Sequence, residues 1–261
     1  MREVEVHKYE RVALGTSSKG SQIRWQTKNE FIKLNLLGNE GPAESLVSAL
    51  LDCTVIDHVQ YETVSVVEDG ETVGIGCASS NFLKDGEVLI TFDRLLRKVS
   101  KDFLKFGYDD VRDAIFQLCG IDVKPYLDQC ICIDAIIRNE DRHFNNLAVI
   151  QSNGKFRTAP LFDHGLSCLS DLLTYPLIEL NERVYSRVYA KPWFANFNKQ
   201  LELVDKPIVL DREQFNLKLK GFTSKSEATY RAIWCINKGL DELEGKAWVQ
   251  HSGLTSLSIF H

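Results

Sequence analysis

Three polar residues in this sequence have the types and the spacing that phosphoryl transfer requires. Asp141 is followed five residues later by Asn146, and Asp163 comes after a predicted pair of strands. One carboxylate can orient or deprotonate an attacking hydroxyl, while an amide and a second carboxylate offer hard oxygen ligands to Mg²⁺. Taken singly, each residue also suits a turn or a cap, so the prediction rests on their combination.

The elements around these three residues are predicted to bring them to one point. An apolar helix ends near Arg138, and a polar loop follows to residue 146. The strands 147–151 and 155–162 then meet at the turn Asn153-Gly154. Because the loop and the strands end at the same place, their polar side chains can converge. Asp134, on the apolar helix, either braces the loop from beneath or caps exposed backbone.

Two histidines flank the acidic positions of the predicted site. His143 follows Asp141 by two residues, and His164 directly follows Asp163. A zinc site needs further His or Cys ligands at a suitable spacing, and the sequence has none there. We therefore interpret both histidines as hydrogen-bonding braces.

The two stretches that carry these residues resemble a known enzyme family. NEDRHFNNLAVI (139–150) and APLFDHGLS (159–167) are similar to HipA-like serine/threonine kinases, whose loop reads roughly N-x-D-x-H-x-x-N and whose metal-binding Asp follows A-P-x-x. The spacing also matches the catalytic and D-x-G loops of protein-kinase-like enzymes. The resemblance implies that Asp141 is the catalytic base and that Asn146 and Asp163 bind Mg²⁺. Arg142 and His143 would support the catalytic loop.

A loop near the amino terminus is the candidate for binding nucleotide phosphates. LGTSSKGSQIRW (14–25) is rich in Gly and Ser between two predicted strands, so its backbone N–H groups can cradle phosphates, although an ordinary hairpin loop has the same composition. The HipA-like family has an S-x-x-G-x-Q segment here, and its serine is the site of inhibitory autophosphorylation. Ser17 is the matching serine. The predicted nucleotide-binding residues of this loop are Ser17, Ser18, Lys19, Gly20 and Ser21.

A lysine and a glutamate complete the predicted nucleotide site. Lys33 lies between apolar residues of a predicted strand, where an ammonium needs an anionic partner, unless the lysine faces solvent on an edge strand. It resembles the strand lysine that pairs with nucleotide phosphates in kinases. Glu44, in the first turn of the next helix, is its predicted partner, and a helix-dipole role suits it equally.

The periodicity of the chain changes once and predicts two lobes. Residues 1–90 read mainly as short strands with one helix at GPAESLVSALLDCT, and residues 91–261 read mainly as helices, ending in the amphipathic helix 226–252. A linker is predicted near 84–95. With the family resemblance, we expect an α+β, two-lobed protein-kinase-like fold with a small β-rich N-lobe and a larger, mostly helical C-lobe.

Composition restricts the partners and the compartment. The formal net charge is −5 and no Lys/Arg-rich run occurs, so we expect no nucleic-acid partner. The start lacks the apolar core of a signal peptide and no apolar run reaches the length of a membrane span, which favours the cytoplasm and no membrane partner. The seven cysteines lack paired C-x-x-C spacing, so we expect buried, reduced thiols.

The resemblance implies an ATP- and Mg²⁺-dependent serine/threonine protein kinase that acts on a protein substrate and phosphorylates its own Ser-rich loop. The loop N-E-D-R-H replaces H-R-D and D-H-G replaces D-F-G, so we place the chain outside the eukaryotic kinase group. Full-length HipA toxins carry an extra N-terminal subdomain that helps contact an antitoxin. This chain reaches its phosphate loop by residue 15, so we expect any antitoxin or regulator to bind differently.

Two other functions fit part of the pattern. Phosphatidylinositol kinases also use D-R-H-x-x-N with a later D-x-G, which leaves a lipid or small-molecule kinase as an alternative. The segment after Asp163 is not basic, and this disfavours a lipid surface. A nucleotide-binding pseudokinase that acts as an interaction module is the second alternative. It is disfavoured because the base and both metal ligands are present.

Overall fold

The first part of the chain folds into a mixed five-stranded sheet. The computed structural model of the protein describes residues 1–12, 22–222, 226–246 and 249–251. The sheet has the order β1-β4-β5-β3-β2, and β1 pairs with β4 in parallel while the other neighbours are antiparallel. Its strands are β1 (Arg2–Val6), β2 (Arg24–Gln26), β3 (Glu30–Leu34), β4 (Tyr61–Glu68) and β5 (Glu71–Ser80).

A two-residue hairpin turn at Asp69-Gly70 joins β4 and β5. Asp69 has φ of 50° and Gly70 has φ of 84°. Positive φ at both central residues is the requirement of the two-residue turns that match the twist of paired strands. The hairpin places β5 in the middle of the sheet, beside the strand that carries Lys33.

Helix α1 (Glu40–Leu51) lies between the sheet and the rest of the molecule. Leu46, Val47 and Leu50 are fully buried in the main hydrophobic core, which they share with the later helices. The sheet has its own smaller core around Trp25 and Ile32. Although α1 comes between sheet strands in the sequence, its apolar side chains therefore belong to the core of the helical part.

Backbone hydrogen bonds fasten both flanks of α1 to the helical part of the molecule. Before the helix, the Asn39 N–H donates to the Ser170 carbonyl at 3.1 Å. After the helix, the Val59 N–H donates to the Leu161 carbonyl at 2.9 Å. These backbone hydrogen bonds attach the residues on both sides of α1 to the segment around Asp163.

The second part of the chain is mostly helical and carries two small sheets. The described order is β6-β7-β8 in one sheet and β9-β10 in the other. No described helix is both long and apolar enough to cross a membrane. The elements are β6 (Val88–Thr91), α2 (Phe92–Val99), α3 (Tyr108–Cys119), α4 (Lys124–Ile137), β7 (Ala148–Ser152), β8 (Lys155–Thr158), α5 (Asn181–Tyr185), α6 (Phe197–Leu201), β9 (Ile208–Leu210), α7 (Arg212–Lys220), α8 (Glu227–Glu244) and β10 (Val249–His251), with 3₁₀ turns at Lys8–Glu10 and Phe103–Lys105.

Local signals set the ends of the long helices. Helix α3 ends at Gly120, whose φ of 70° suits the left-handed cap that glycine favours. Pro125 occupies the first turn of α4, where its missing N–H is not needed. The Ser226 side chain caps α8 by accepting a hydrogen bond from the Thr229 N–H.

Two sequence predictions about secondary structure were wrong in part. The helix predicted over 226–252 ends at Glu244, and Val249–His251 form β10 instead, because they pair in parallel with β9. The linker predicted near 84–95 is largely ordered structure, since β6 pairs with β7 and α2 begins at Phe92. The predicted boundary between lobes at residue 90 stays a prediction. All seven cysteines are free thiols and six are buried, as expected.

Gly239 provides a test of the packing between α4 and α8. A Cβ at this position would lie 2.0 Å from the Ile136 carbonyl oxygen. In an exposed helix, Gly→Ala stabilises by about 1 kcal/mol. Here we expect Gly239→Ala to lower the free energy of unfolding by about 2 kcal/mol or more, measured by urea denaturation, because the two helix backbones must separate.

The control for this measurement is Gly107→Ala, whose Cβ would meet only the flexible Asp110 carboxylate at 3.4 Å. We expect this variant to unfold close to the wild type. A Gly239→Ala protein as stable as wild type would contradict the tight packing of α4 on α8.

Candidate active site

A cavity of about 340 Å³ lies where the sheet, α1 and the helical part meet. Sheet strands contribute cations to it, and loops after α4 and β8 contribute carboxylates and amides. The structure thus brings together the predicted site residues that it describes, while the roles assigned to them remain predictions. The polar residues that line the cavity are Gln22, Arg24, Lys33, Glu40, Glu44, Asp141, His143, Asn145, Asn146 and Asp163.

Lys33 connects the two lobes across the cavity. Its Nζ donates to Asp163 Oδ1 at 2.7 Å and to Glu44 Oε1 at 3.2 Å. The lysine lies on β3, the glutamate on α1 and the aspartate on the loop after β8, so one ammonium joins three separate elements. Glu44 is fixed further by its Oε2, which accepts the His164 N–H at 2.8 Å.

Opposite charges within this triad overcome the cost of burial for two of its members. Burial alone would lower the pKa of Lys33, but Asp163 and the smaller contributions of Tyr61 and Glu44 together outweigh burial and raise that pKa well above its usual range. Burial alone would raise the pKa of Asp163, but the charge of Lys33, helped by Arg24, holds that pKa below its usual range. For Glu44, burial prevails and its pKa is raised. Asp163 is therefore the firmly ionised carboxylate of the site.

The catalytic loop is built around the buried guanidinium of Arg142. Its Nε and one terminal nitrogen donate to the two carboxylate oxygens of Asp134, each at 2.8 Å, and both residues are 1 % exposed. The other terminal nitrogen donates to the carbonyls of Asn146 and Phe162 at 3.1 and 3.2 Å. One side chain thus ties α4, the catalytic loop and the chain leading to Asp163 into one unit. Asp134, whose role the sequence left open, braces the loop from beneath.

Amide side chains hold the loop in shape around Asp141. The Asn139 side chain donates to Asp134 Oδ1 at 2.8 Å and accepts the Asp141 N–H at 3.1 Å. Asn146 Nδ2 donates back to the Asp141 carbonyl at 3.0 Å. These bonds close a tight loop that keeps the Asp141 and Asn146 side chains on the same cavity wall.

The chain turns sharply at Asp163. Its φ is 62°, a left-handed conformation that residues other than glycine rarely adopt. Next to it, His164 is buried, and its Nδ1 accepts from Arg142 at 3.1 Å. Burial, reinforced by the charge of Arg142, lowers the pKa of His164 well below its usual range, so the ring is neutral. Arg142 thus also fixes the residue that follows Asp163, and His164 acts as the predicted brace.

The oxygens available at Asn146 and Asp163 fit a hard divalent cation. Nδ2 of Asn146 is engaged by the Asp141 carbonyl, and Asp163 offers its second carboxylate oxygen beside the one bound by Lys33. Amide and carboxylate oxygens are the ligands that Mg²⁺ prefers. His143 stays at the cavity edge, with its Nε2 3.7 Å from Asp141 Oδ2.

Arg24 and Lys191 are site residues that the sequence analysis missed. Arg24 on β2 is directly opposite Lys33 on β3 and lines the same cavity. Like charges directly opposite each other destabilise a strand pair, and an anion between them removes that cost. This placement follows from strand register, which the sequence pattern left open. Lys191 lies fifty residues after Asp141 and contacts its carboxylate.

The predicted phosphate loop, with Ser17, Ser18, Lys19, Gly20 and Ser21, lies outside the described residues. Its flanks are described: the Val12 N–H donates to the Arg24 carbonyl at 3.1 Å, and Gln22 lines the cavity.

Comparisons with known proteins establish the fold. No family model and no curated protein matches the sequence. The structure is similar to that of the Helicobacter pylori proinflammatory kinase CtkA, with a TM-score of 0.65 and 13 % identity over 94 % of this chain and 96 % of that one. This likeness confirms the predicted two-lobed, protein-kinase-like fold.

Two further solved structures are more distant. HipA of Shewanella oneidensis MR-1, in its complex with HipB and operator DNA, aligns over 89 % of this chain and 67 % of its own, with a TM-score of 0.46 and 11 % identity. The aminoglycoside phosphotransferase APH(4)-Ia aligns over 91 % and 89 %, with a TM-score of 0.31 and 13 % identity.

Replacing Lys33 tests the charge balance of the triad. Because the Lys33 ammonium holds the pKa of Asp163 down, Lys33→Met should raise that pKa by about one pH unit or more, followed by ¹³C NMR of the carboxyl group during a pH titration. A depressed folded-state pKa stabilises the fold above the unfolded value of about 4, and this contribution disappears as the pH falls. The variant should lose part of that pH dependence.

Lys28→Met, at an exposed position before β3, is the matched control and should leave the Asp163 titration unchanged. An unaltered Asp163 pKa in Lys33→Met would show that the ammonium does not set it.

Removing Asp134 tests the buried ion pair beneath the loop. Asp134→Ala leaves the Arg142 guanidinium buried without its carboxylate, which should lower the free energy of unfolding by about 3–5 kcal/mol in urea denaturation. Asp93→Ala, which breaks an ion pair with the exposed Arg97, is the control and should change it little. Equal losses in the two variants would argue against Asp134 as the brace of the loop.

Proposed function

We propose that this protein is an ATP- and Mg²⁺-dependent serine/threonine protein kinase of HipA-like type. The observation that carries the proposal is that Asp141, Asn146 and Asp163 line the same cavity as Lys33. The kinase-like fold supports it, and the charge pattern of the cavity suits a nucleoside triphosphate whose phosphates lie beside Lys33 and Arg24.

In the proposed reaction, the side-chain hydroxyl of the acceptor attacks the γ-phosphorus of ATP. A bond forms between the hydroxyl oxygen and phosphorus, and the bond to the β–γ bridging oxygen breaks, with its electron pair leaving on ADP. Asp141 accepts the hydroxyl proton. Lys33 binds nucleotide phosphates, and Glu44 keeps its ammonium aimed into the cavity.

The Mg²⁺ ion has a defined place in this proposal. Asn146 and Asp163 would hold it, and when bound it supplies positive charge that neutralises the phosphates. Lys33 donates to one carboxylate oxygen of Asp163, and the other oxygen is the one proposed to hold the ion.

The Ser-rich loop is the proposed site of autophosphorylation. The described residues on its two sides support this proposal, since Val12 bonds to β2 and Gln22 lines the cavity. Ser17 is the proposed acceptor, with Ser18 and Ser21 as neighbours. We further propose a protein as the external substrate, the cytoplasm as the compartment and a regulator or antitoxin as partner.

Incubation of purified protein with ATP and Mg²⁺ tests the proposal. We expect intact and peptide mass spectrometry to find phosphate on Ser17 or its neighbours in wild type, and none in Asp141→Ala or Asp163→Ala, since these lose the base or a metal ligand. Asp109→Ala removes a carboxylate exposed on α3 and should behave like wild type. Protein that starts unphosphorylated, binds no ATP and gains no phosphate would overturn the proposal.

A further inference from the structure

A lysine from a distant part of the chain contacts the proposed catalytic base. Lys191 Nζ donates to Asp141 Oδ1 at 3.3 Å, and its side chain is 43 % exposed. Lys191 belongs to the segment 186–196 between α5 and α6, and the proposed mechanism gives this segment no role. An ion pair that is this exposed contributes little to stability. Its position beside the base therefore calls for a role other than holding the fold together.

The segment that carries Lys191 is firmly attached to the catalytic loop. Two residues after the lysine, the Trp193 ring packs edge-on against Phe144, with ring centroids 6.3 Å apart. Phe144 lies in the catalytic loop, between Asp141 and Asn146. The Trp193 ring also packs edge-on against Tyr108 of α3, with ring centroids 5.0 Å apart. The tryptophan thus sets the distance between the lysine and the base.

A buried glutamine fixes the backbone at the same place. Gln200 on α6 is 1 % exposed, and its Oε1 accepts from the backbone N–H groups of Trp193 and Phe194 at 3.1 and 3.4 Å. The Ala190 N–H also donates to the Ala195 carbonyl at 2.9 Å, which closes the turn around Lys191. The lysine stem therefore starts from a turn that these hydrogen bonds hold in place, and its ammonium reaches the Asp141 carboxylate.

The charges around the cavity indicate what the ammonium does there. Lys33 and Arg24 approach from the sheet side, where the proposed mechanism places the nucleotide phosphates. Lys191 approaches from the side of Asp141, where the acceptor hydroxyl must lie. Charge on the transferred phosphoryl group is spread over its three equatorial oxygens in the transition state. A cation fixed beside the base is placed to meet those oxygens.

We propose that Lys191 is a further catalytic residue, whose ammonium contacts a non-bridging oxygen of the transferred phosphoryl group. This inference rests on the proposed function. During transfer Lys191 keeps its protons and moves its hydrogen bond from Asp141 toward the phosphoryl oxygen, while Asp141 takes the proton of the attacking hydroxyl. Bond formation to phosphorus and cleavage on the ADP side are otherwise unchanged.

The test compares Lys191→Met and Lys191→Arg with wild type. We expect Lys191→Met to slow single-turnover phosphate transfer from Mg²⁺-ATP by about 100-fold, the scale of losing one transition-state donor. Its Kd for ADP should stay within twofold, whereas its Kd for ADP with aluminium fluoride, a mimic of the transferred group, should weaken by a similar large factor. Lys191→Arg should recover part of the rate. Lys206→Met, at an exposed position after α6, is the matched control and should match wild type.

The outcomes separate this inference from the proposed function. Transfer by Lys191→Met within threefold of wild type would overturn the role of Lys191 alone. A rate loss matched by an equal loss of ADP affinity would also overturn it, because Lys191 would then bind the nucleotide in the ground state. Wild-type protein that starts unphosphorylated, binds no ATP and transfers no phosphate would overturn both proposals.

Discussion

The guanidinium of Arg142 is the group on which the geometry of the candidate site depends. It is buried, and its N–H groups donate hydrogen bonds to Asp134, to the carbonyls of Asn146 and Phe162, and to His164. A buried charge is tolerated only when its hydrogen bonds are made, so the helix, the catalytic loop and the D-H-G segment cannot move apart independently. Asp141 and Asp163 therefore keep a fixed separation, although they are far apart in sequence.

The two lobes contribute complementary charge to this fixed frame. The sheet brings Lys33 and Arg24 to the cavity on neighbouring strands, and the helical part brings carboxylates on loops that Arg142 holds. Lys33 bonds to Asp163 across the cleft, so one ion pair joins a strand of the sheet to the loop after β8. The cations of one part of the molecule are thus matched by carboxylates of the other.

Site residues that lie close together in the sequence were predicted far better than those that strand register and side-chain packing bring together. Asp141 and Asp163 could be found because a loop and one hairpin separate them, and the kinase-like fold followed from the same motifs. Arg24 was missed because it is strand register that places it opposite Lys33, and the sequence of a short polar strand does not reveal the register. Lys191 was missed because its position depends on how Trp193 packs, fifty residues from the base.

Helix α1 carries Glu44 yet is fastened at both flanks to the segment around Asp163, and its apolar side chains lie in the main core. Kinases are commonly switched by repositioning the helix that bears the glutamate. Here that helix is anchored to the helical part of the molecule, and rotating it outward would break these backbone hydrogen bonds and expose core leucines. Helix α1 also packs closely on the sheet, because a Cβ on Gly41 would lie only 2.5 Å from the Gly76 carbonyl oxygen of β5. Any movement of the sheet relative to the helical part would therefore break contacts of α1 on one side or the other, and Glu44 would move with the side that α1 follows.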